Sequence, residues 1–121
     1  MHKKGYHILL ELYEVESELL DDTEGIKHLF LKAGRISKLK VIENSFLIHK
    51  FTPVGLTAVV LLETSHISIH TWPQLKFASL DIFACDSKEK VIKAANFIVK
   101  TLKPKKIKKK LLKRGFIINP G

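Results

Sequence analysis

Hydrophobic positions along this chain recur with two different periods. In residues 6–13 they alternate, with Ile8, Leu10 and Leu12 on one face and His7, Leu9 and Glu11 on the other, which predicts a strand. Asp21, Asp22 and Thr23 then offer helix-capping side chains, and Ile26, Leu29, Phe30 and Ala33 follow at helical spacing up to Gly34, a suitable stop. Residues 38–51 read as a second strand region, and Thr52-Pro53-Val54-Gly55 is a turn by composition. Residues 56–62 form a continuous apolar run of strand length, consistent with a central strand. Residues 66–70 alternate and are β-branched, and Pro73 closes them. In residues 77–85, Phe77, Ser79, Asp81, Phe83 and Cys85 share one face of a further strand. After a cap at Asp86 or Ser87, Val91, Ala95, Ile98 and Leu102 form the buried stripe of a second helix that Pro104 stops. Residues 107–112 read as a last strand.

The order β-α-β-β-β-β-α-β, with short links between the middle strands, predicts an α+β fold: an antiparallel sheet with two helices on one face. The other face of such a sheet has nothing to cover it. Two protomers meeting sheet to sheet would bury it as an αββα sandwich, so a homodimer is expected. A chain of 121 residues is read as one domain, 1–121. It buries roughly two-thirds of its unfolded surface, enough for a core but not for a deep private cavity.

Composition narrows the function classes. One cysteine rules out an intramolecular disulfide framework and a cysteine zinc site. The first residues lead into a strand pattern rather than an apolar signal region, and no apolar run is long enough to span a bilayer, so the expectation is a cytoplasmic protein with no membrane partner. The formal charge of +9 is local: eight basic residues and no acid lie between Lys103 and Arg114. Without them the balance is 21 − 8 = 13 basic against 12 acidic residues. No aromatic residues are interleaved with the lysines, so a solvated edge strand is favoured over nucleic-acid binding.

Candidate chemistry concentrates in Glu63-Thr64-Ser65-His66-Ile67-Ser68-Ile69-His70-Thr71-Trp72-Pro73, with Cys85 beyond it. A serine hydroxyl can attack the carbonyl before it, turning an amide into an ester through a charged tetrahedral intermediate. A base that takes the serine Cα proton can then expel the ester by β-elimination, and the resulting dehydroalanine hydrolyses to a pyruvoyl group and ammonia. Ser65 could supply the hydroxyl and His70 the base. On one flat strand these two residues point to opposite faces, because five is an odd separation, so a bend or bulge near Ser65 is expected. His66 and His70 share a strand face as a metal pair would. No third ligand of fitting spacing is evident, and no metal is expected. His7, His49 and Glu11 read as structural or supporting residues.

The joint spacing of these residues resembles the S-adenosylmethionine decarboxylase proenzymes in their short bacterial and archaeal form. The interval from Ser65 to His70 to Cys85 fits that family's pattern, as do His49-Lys50-Phe51-Thr52-Pro53-Val54-Gly55-Leu56-Thr57, the opening Gly5-Tyr6-His7-Ile8-Leu9-Leu10-Glu11-Leu12 and the closing Lys113-Arg114-Gly115. The resemblance spans about the whole chain. It implies self-cleavage between Thr64 and Ser65, with Ser65 converted to a pyruvoyl cofactor. The cofactor's carbonyl would form a Schiff base with the amine of S-adenosylmethionine and draw electrons from the departing carboxylate, a step in polyamine (spermidine) synthesis. It further implies that Cys85 protonates the α-carbon, that His70 serves processing with the hydroxyl of Thr57, and that Phe51 and Trp72 sandwich the adenine.

Four positions depart from the family pattern. The glutamate before the serine is Thr64, with Glu63 displaced by one, and the glutamate after Trp-Pro, expected to hold the ribose, is Gln74. Ala58 and Lys76 replace glycines and would crowd the rim of the site. Gln74 keeps open a relative that decarboxylates arginine or another basic amino acid. Thr64 keeps open an uncleaved, non-catalytic homologue.

Overall fold

The computed structural model describes residues 4–115. Its six strands form one sheet: β1 (Lys4–Tyr13), β2 (Leu47–Lys50), β3 (Leu56–Leu61), β4 (His66–Trp72), β5 (Phe77–Ala84) and β6 (Lys106–Gly115). The order across it is β2-β3-β4-β5-β1-β6, and every neighbouring pair is antiparallel. Two helices, α1 (Thr23–Ser37) and α2 (Lys88–Leu102), pack against each other and against one face of the sheet. The expected element order and layer arrangement are therefore observed.

The helix-side face is built by alternation. Ile8, Leu10 and Leu12 of β1, Leu56, Ala58 and Val60 of β3, Ile67 and Ile69 of β4, and Ala78, Leu80, Ile82 and Ala84 of β5 are all buried. The helices bring Ile26, Leu29, Phe30 and Ala33 from α1, and Val91, Ala95, Ile98 and Leu102 from α2, into the same core. Asp22 caps α1 by accepting from the Gly25 N–H at 2.9 Å, and Ser87 caps α2 by accepting from the Lys90 N–H at 3.3 Å.

Two sequence expectations need correction. Gly34 does not stop α1, which runs on to Ser37; a Cβ at Gly34 would collide with the side chain of Val41, so the glycine is there for close approach. Residues 38–51 are not one strand. Val41 makes an isolated bridge to Leu62, residues Glu43–Ser45 form a 3-10 turn, and only Leu47–Lys50 pair with β3. The cause is Ser45, whose hydroxyl accepts from the Leu61 N–H at 2.8 Å and so occupies a ladder position that a continuous strand would fill. The bend or bulge expected near Ser65 bears on β4. Its ladders run without a skipped residue from Thr57↔His70 to Leu61↔His66 on one side and from His66↔Phe83 to Trp72↔Phe77 on the other. The expected bend is therefore found at residues 63–65, ahead of the strand, and β4 itself is regular and keeps Ser65 apart from His70.

β6 is longer than expected and exposed along its whole length, and it forms one edge of the sheet. Its lysines sit where charge discourages edge-to-edge pairing. Lys106 and Lys108 lie over the ring of Tyr13, at 5.8 and 5.9 Å from its centroid. No helix among the described residues is long and apolar enough to cross a membrane.

Candidate active site

The face of the sheet away from the helices carries nearly all the candidate residues, in two groups. The first surrounds His70. Thr57 of β3 is its cross-strand partner, and Thr57 Oγ1 lies 3.1 Å from His70 Nδ1. A hydroxyl at Nδ1 orients the ring and leaves Nε2 to face outward. Phe51, Thr57, His70, Trp72 and Gln74 line one cavity of about 370 Å³, together with the 52–54 turn. The two aromatic side chains keep 47% and 39% of their surface exposed, so their ring faces are available to a ligand. Trp72 packs on Phe77 with centroids 5.4 Å apart, and Phe51 meets His49 edge-on at 4.7 Å. Five residues singled out from the sequence thus meet around one hollow.

Backbone anchors fix this end. Gly55 has φ +108°, a left-handed value that suits glycine, and a Cβ there would approach the Thr71 carbonyl to 3.1 Å. Thr71 is buried; its hydroxyl donates to the Leu20 carbonyl at 2.7 Å and accepts from the Leu56 N–H at 3.0 Å. Ser17 donates to the Pro73 carbonyl at 2.8 Å, which steadies the 3-10 turn carrying Gln74. Asp21 accepts from the Gly55 N–H at 2.8 Å and pairs with Lys50 Nζ at 2.5 Å.

Asp21 gives this end a pH dependence. The hydrogen bond from Lys50, and then that from Gly55, hold its carboxyl below the ordinary carboxylate range. A carboxyl depressed in the folded state contributes stability above its unfolded pKa of about 3.9, and loses it as pH falls through the folded value. We expect Tm to fall as pH is taken from 7 to about 3, and Asp21→Asn to show a shallower acid-side fall. Calorimetry of both chains across that range checks this.

The second group lies at the other end of β4. Leu62, Glu63, Thr64 and Ser65 form a two-residue hairpin turn between β3 and β4: the Leu62 N–H donates to the Ser65 carbonyl at 2.8 Å and the Ser65 N–H to the Leu62 carbonyl at 3.3 Å. The Glu63 N–H also donates to the Lys40 carbonyl at 2.8 Å, tying the turn to the segment after α1. The peptide bond between Thr64 and Ser65 therefore sits in an anchored turn, with both residues half-buried. Cys85 lies just past the end of β5, two residues beyond Phe83, the partner of His66. Gly5 of β1 lies alongside: a Cβ there would come within 2.9 Å of the Phe83 ring and 3.3 Å of the Cys85 backbone.

The two groups do not meet within one protomer. Ser65 and His70 are five positions apart along an unbulged strand, about 17 Å at the usual rise. Cys85 is likewise separated from Ser79, the partner of His70, by six positions, about 20 Å. Ala58 also changes meaning. It is fully buried on the helix side of β3, so it cannot crowd a site on the opposite face. Lys76 adopts a left-handed conformation at φ 53°, which the glycine of the family pattern would accommodate at less cost.

One group of side chains at the Ser65 end escaped sequence reasoning. His7, His66, Ser68 and Asp81 converge from β1, β4 and β5. Burial raises the Asp81 carboxyl pKa, but hydrogen bonds from Ser68, His66 and His7 together hold it below the ordinary range. Strand parity put His7 and Asp81 on the open face, but only the pairing His7↔Phe83↔His66 reveals that they are neighbours.

Comparison with known proteins bears on the family and the fold. The profile of S-adenosylmethionine decarboxylase matches residues 6–115. The chain belongs to the S-adenosylmethionine decarboxylase family. Among its relatives, a protein of Sulfurihydrogenibium sp. (strain YO3AOP1) named S-adenosylmethionine decarboxylase proenzyme is 46% identical over 117 residues, 96% of this chain and 86% of the relative. One of the same name from Methanococcus maripaludis is 42% identical over 97% of this chain and 94% of its own length. The crystal structure of the adenosylmethionine decarboxylase from Aquifex aeolicus VF5 superposes with a TM-score of 0.89 at 37% identity, covering 100% of this chain and 98% of that one.

Proposed function

We propose that this chain is a proenzyme that cuts its own backbone between Thr64 and Ser65 and then decarboxylates S-adenosylmethionine, supplying aminopropyl groups for spermidine synthesis. The observation that carries the proposal is the cavity uniting Phe51, Thr57, His70, Trp72 and Gln74. A flat purine suits its aromatic walls, worth roughly 0.5–1.5 kcal/mol beyond buried area. Gln74 can hold ribose hydroxyls, and His70, oriented by Thr57, can move a proton. Arginine has no purine and would leave the aromatic pair unused.

The reading requires a second copy. Exposed apolar side chains on the open face, among them Leu9, Leu61 and Trp72, are what an uncovered sheet presents to a partner. A copy related by a two-fold axis and packed sheet to sheet would lay the Ser65 end of one protomer over the His70 end of the other. The unbulged strand then becomes an asset, because each composite site draws its two halves from different subunits.

A pyruvoyl group at position 65 would supply a carbonyl that takes up the substrate amine and accepts the electron pair left by carbon dioxide. The turn that carries the group is held by its ladder bonds and by the Lys40 carbonyl. Cys85, just past β5 at the same end of the protomer, would return a proton to the substrate carbon. His70 and Thr57 serve the removal of the Ser65 Cα proton during processing, and Phe51 and Trp72 hold the adenine. Intact-mass analysis after incubation at neutral pH tests the first step: the expected products are residues 1–64 and 65–121. Carbon dioxide release from S-adenosylmethionine, and none from arginine, is expected from the cleaved protein; the reverse result overturns the substrate assignment and leaves the cleavage standing.

Gln74 makes a graded prediction. A charged hydrogen bond is worth roughly 1.5–3 kcal/mol against about 1 for a neutral one, so Gln74→Glu is expected to tighten S-adenosylmethionine binding by about tenfold. Calorimetric titration of the Gln74→Glu chain beside its parent, each made uncleavable at Ser65, checks it without interference from turnover.

A further inference from the structure

Three strands bring titratable side chains together one residue from Ser65. His7 Nε2 and His66 Nε2 both approach the same oxygen of Asp81, at 2.7 and 2.9 Å, and Ser68 Oγ donates to the other oxygen. Arg114 of β6 closes the far side, with a guanidinium nitrogen 3.0 Å from His7 Nδ1 and its carbon 4.3 Å from the Phe83 ring centroid. Phe83 packs between the two imidazoles, 5.3 Å from His7 and 6.2 Å from His66.

Hydrogen-bond roles fix the protons. Arginine only donates, so His7 Nδ1 must accept, and the proton of this neutral ring is on Nε2, which donates to Asp81. The ionised Asp81 only accepts, so His66 also donates from Nε2, and the neutral form of the ring then has its lone pair on Nδ1. These tautomers are assigned from the contacts. The ligand atoms of His7, His66 and Asp81 lie within 4.8 Å of one another, close enough to share a cation. Arg114 argues against that use. A histidine that ligates through Nε2 must donate from Nδ1, and a guanidinium cannot accept that proton. The cluster fits a hydrogen-bond relay instead.

We propose that Arg114, His7 and Asp81 form a relay that positions His66, and that His66 Nδ1 carries the proton in the first step of self-cleavage. This rests on the processing reading above and names a residue for the step that reading left without one. In that step Ser65 Oγ bonds to the Thr64 carbonyl carbon while its proton passes to His66 Nδ1. The carbon–nitrogen bond breaks, and the same proton passes to the Ser65 nitrogen, which becomes a free amine. Asp81 offsets the charge that His66 carries in between, as the carboxylate behind a catalytic histidine does in a serine–histidine–carboxylate arrangement. His66 is peptide-bonded to Ser65, so the relay is complete within one protomer. His70 lies about 17 Å along the strand in its own protomer, so the Cα proton in the later elimination is left to the His70 end of the second copy.

The test follows cleavage by intact mass in full-length chains newly made by cell-free synthesis, with the proton positions read by nitrogen NMR on Ser65→Ala. Asp81→Ala is expected to slow cleavage by about a hundredfold, the lower range for a lost general base, with Asp81→Asn intermediate because it keeps an acceptor. Arg114→Met is expected to slow cleavage severalfold and Arg114→Lys, still a donor, to recover most of the rate. In Ser65→Ala, both His7 and His66 should show Nε2-protonated rings. A folded Asp81→Ala chain that cleaves within about twofold of the parent overturns the relay alone, as does an Nδ1-protonated His66. A parent chain that never cleaves overturns the processing reading and the relay with it. Where Asp81→Ala does not fold, the Arg114 pair and the NMR signals decide.

Discussion

Ser65→Ala is expected to leave a single uncut chain of 121 residues and to abolish carbon dioxide release altogether. Alanine has no hydroxyl, so neither the acyl shift nor the elimination can begin, and no other residue can yield a carbonyl at position 65. The loss should be complete rather than graded, because the residue is consumed to make the reactive group and is more than a contributor to a barrier. The fold should survive. Ser65 contributes to its hairpin turn through backbone groups, the N–H and carbonyl that pair with Leu62, and these persist in alanine. A melting temperature close to that of the parent, together with one intact mass and no turnover, is the expected set of results. A Ser65→Ala chain that still releases carbon dioxide would show that decarboxylation here does not use a group made from this serine.

The fold was largely legible because its signals are local. Alternation in residues 6–13 and 77–85 gave β1 and β5 the correct faces, and the stripe of Val91, Ala95, Ile98 and Leu102 gave α2 its buried side. The misreadings came from contacts between segments distant in sequence. Gly34 looks like a helix stop until Val41 is seen packed against it, and residues 38–51 look like one strand until Ser45 takes the Leu61 N–H. The site was legible in part for the same reason. Phe51, Thr57, His70, Trp72 and Gln74 were singled out by the resemblance to the family and are gathered by the β3–β4 ladder around one cavity. What spacing could not supply was register. Without knowing that β4 is unbulged, one histidine and one serine five residues apart invite the assumption that they touch. Without knowing that His7 and His66 both pair with Phe83, nothing unites two histidines and an aspartate from three strands.

The separation of the two half-sites makes its own prediction, of equal size. If each active site takes Ser65 and Cys85 from one protomer and His70 from the other, then Cys85→Ala and His70→Ala should complement each other. Each variant alone loses turnover: the first lacks the proton donor in both sites of its dimer, and the second stalls before elimination in both. In a mixed dimer the defects fall together. One site receives both altered halves, and the other receives an intact Ser65–Cys85 end and an intact His70 end. Random pairing of equal amounts makes half the dimers mixed, each with one intact site of two, so about a quarter of parental activity should return on co-expression. The mixed population should also contain processed chains of the His70→Ala kind, cut with the help of the partner's histidine. If each site were built within a single protomer, mixing could restore nothing, since every protomer would carry one defect in its own site. Activity that stays at the level of the separate variants, in a sample where light scattering and mass analysis show mixed dimers, would therefore reject the composite site.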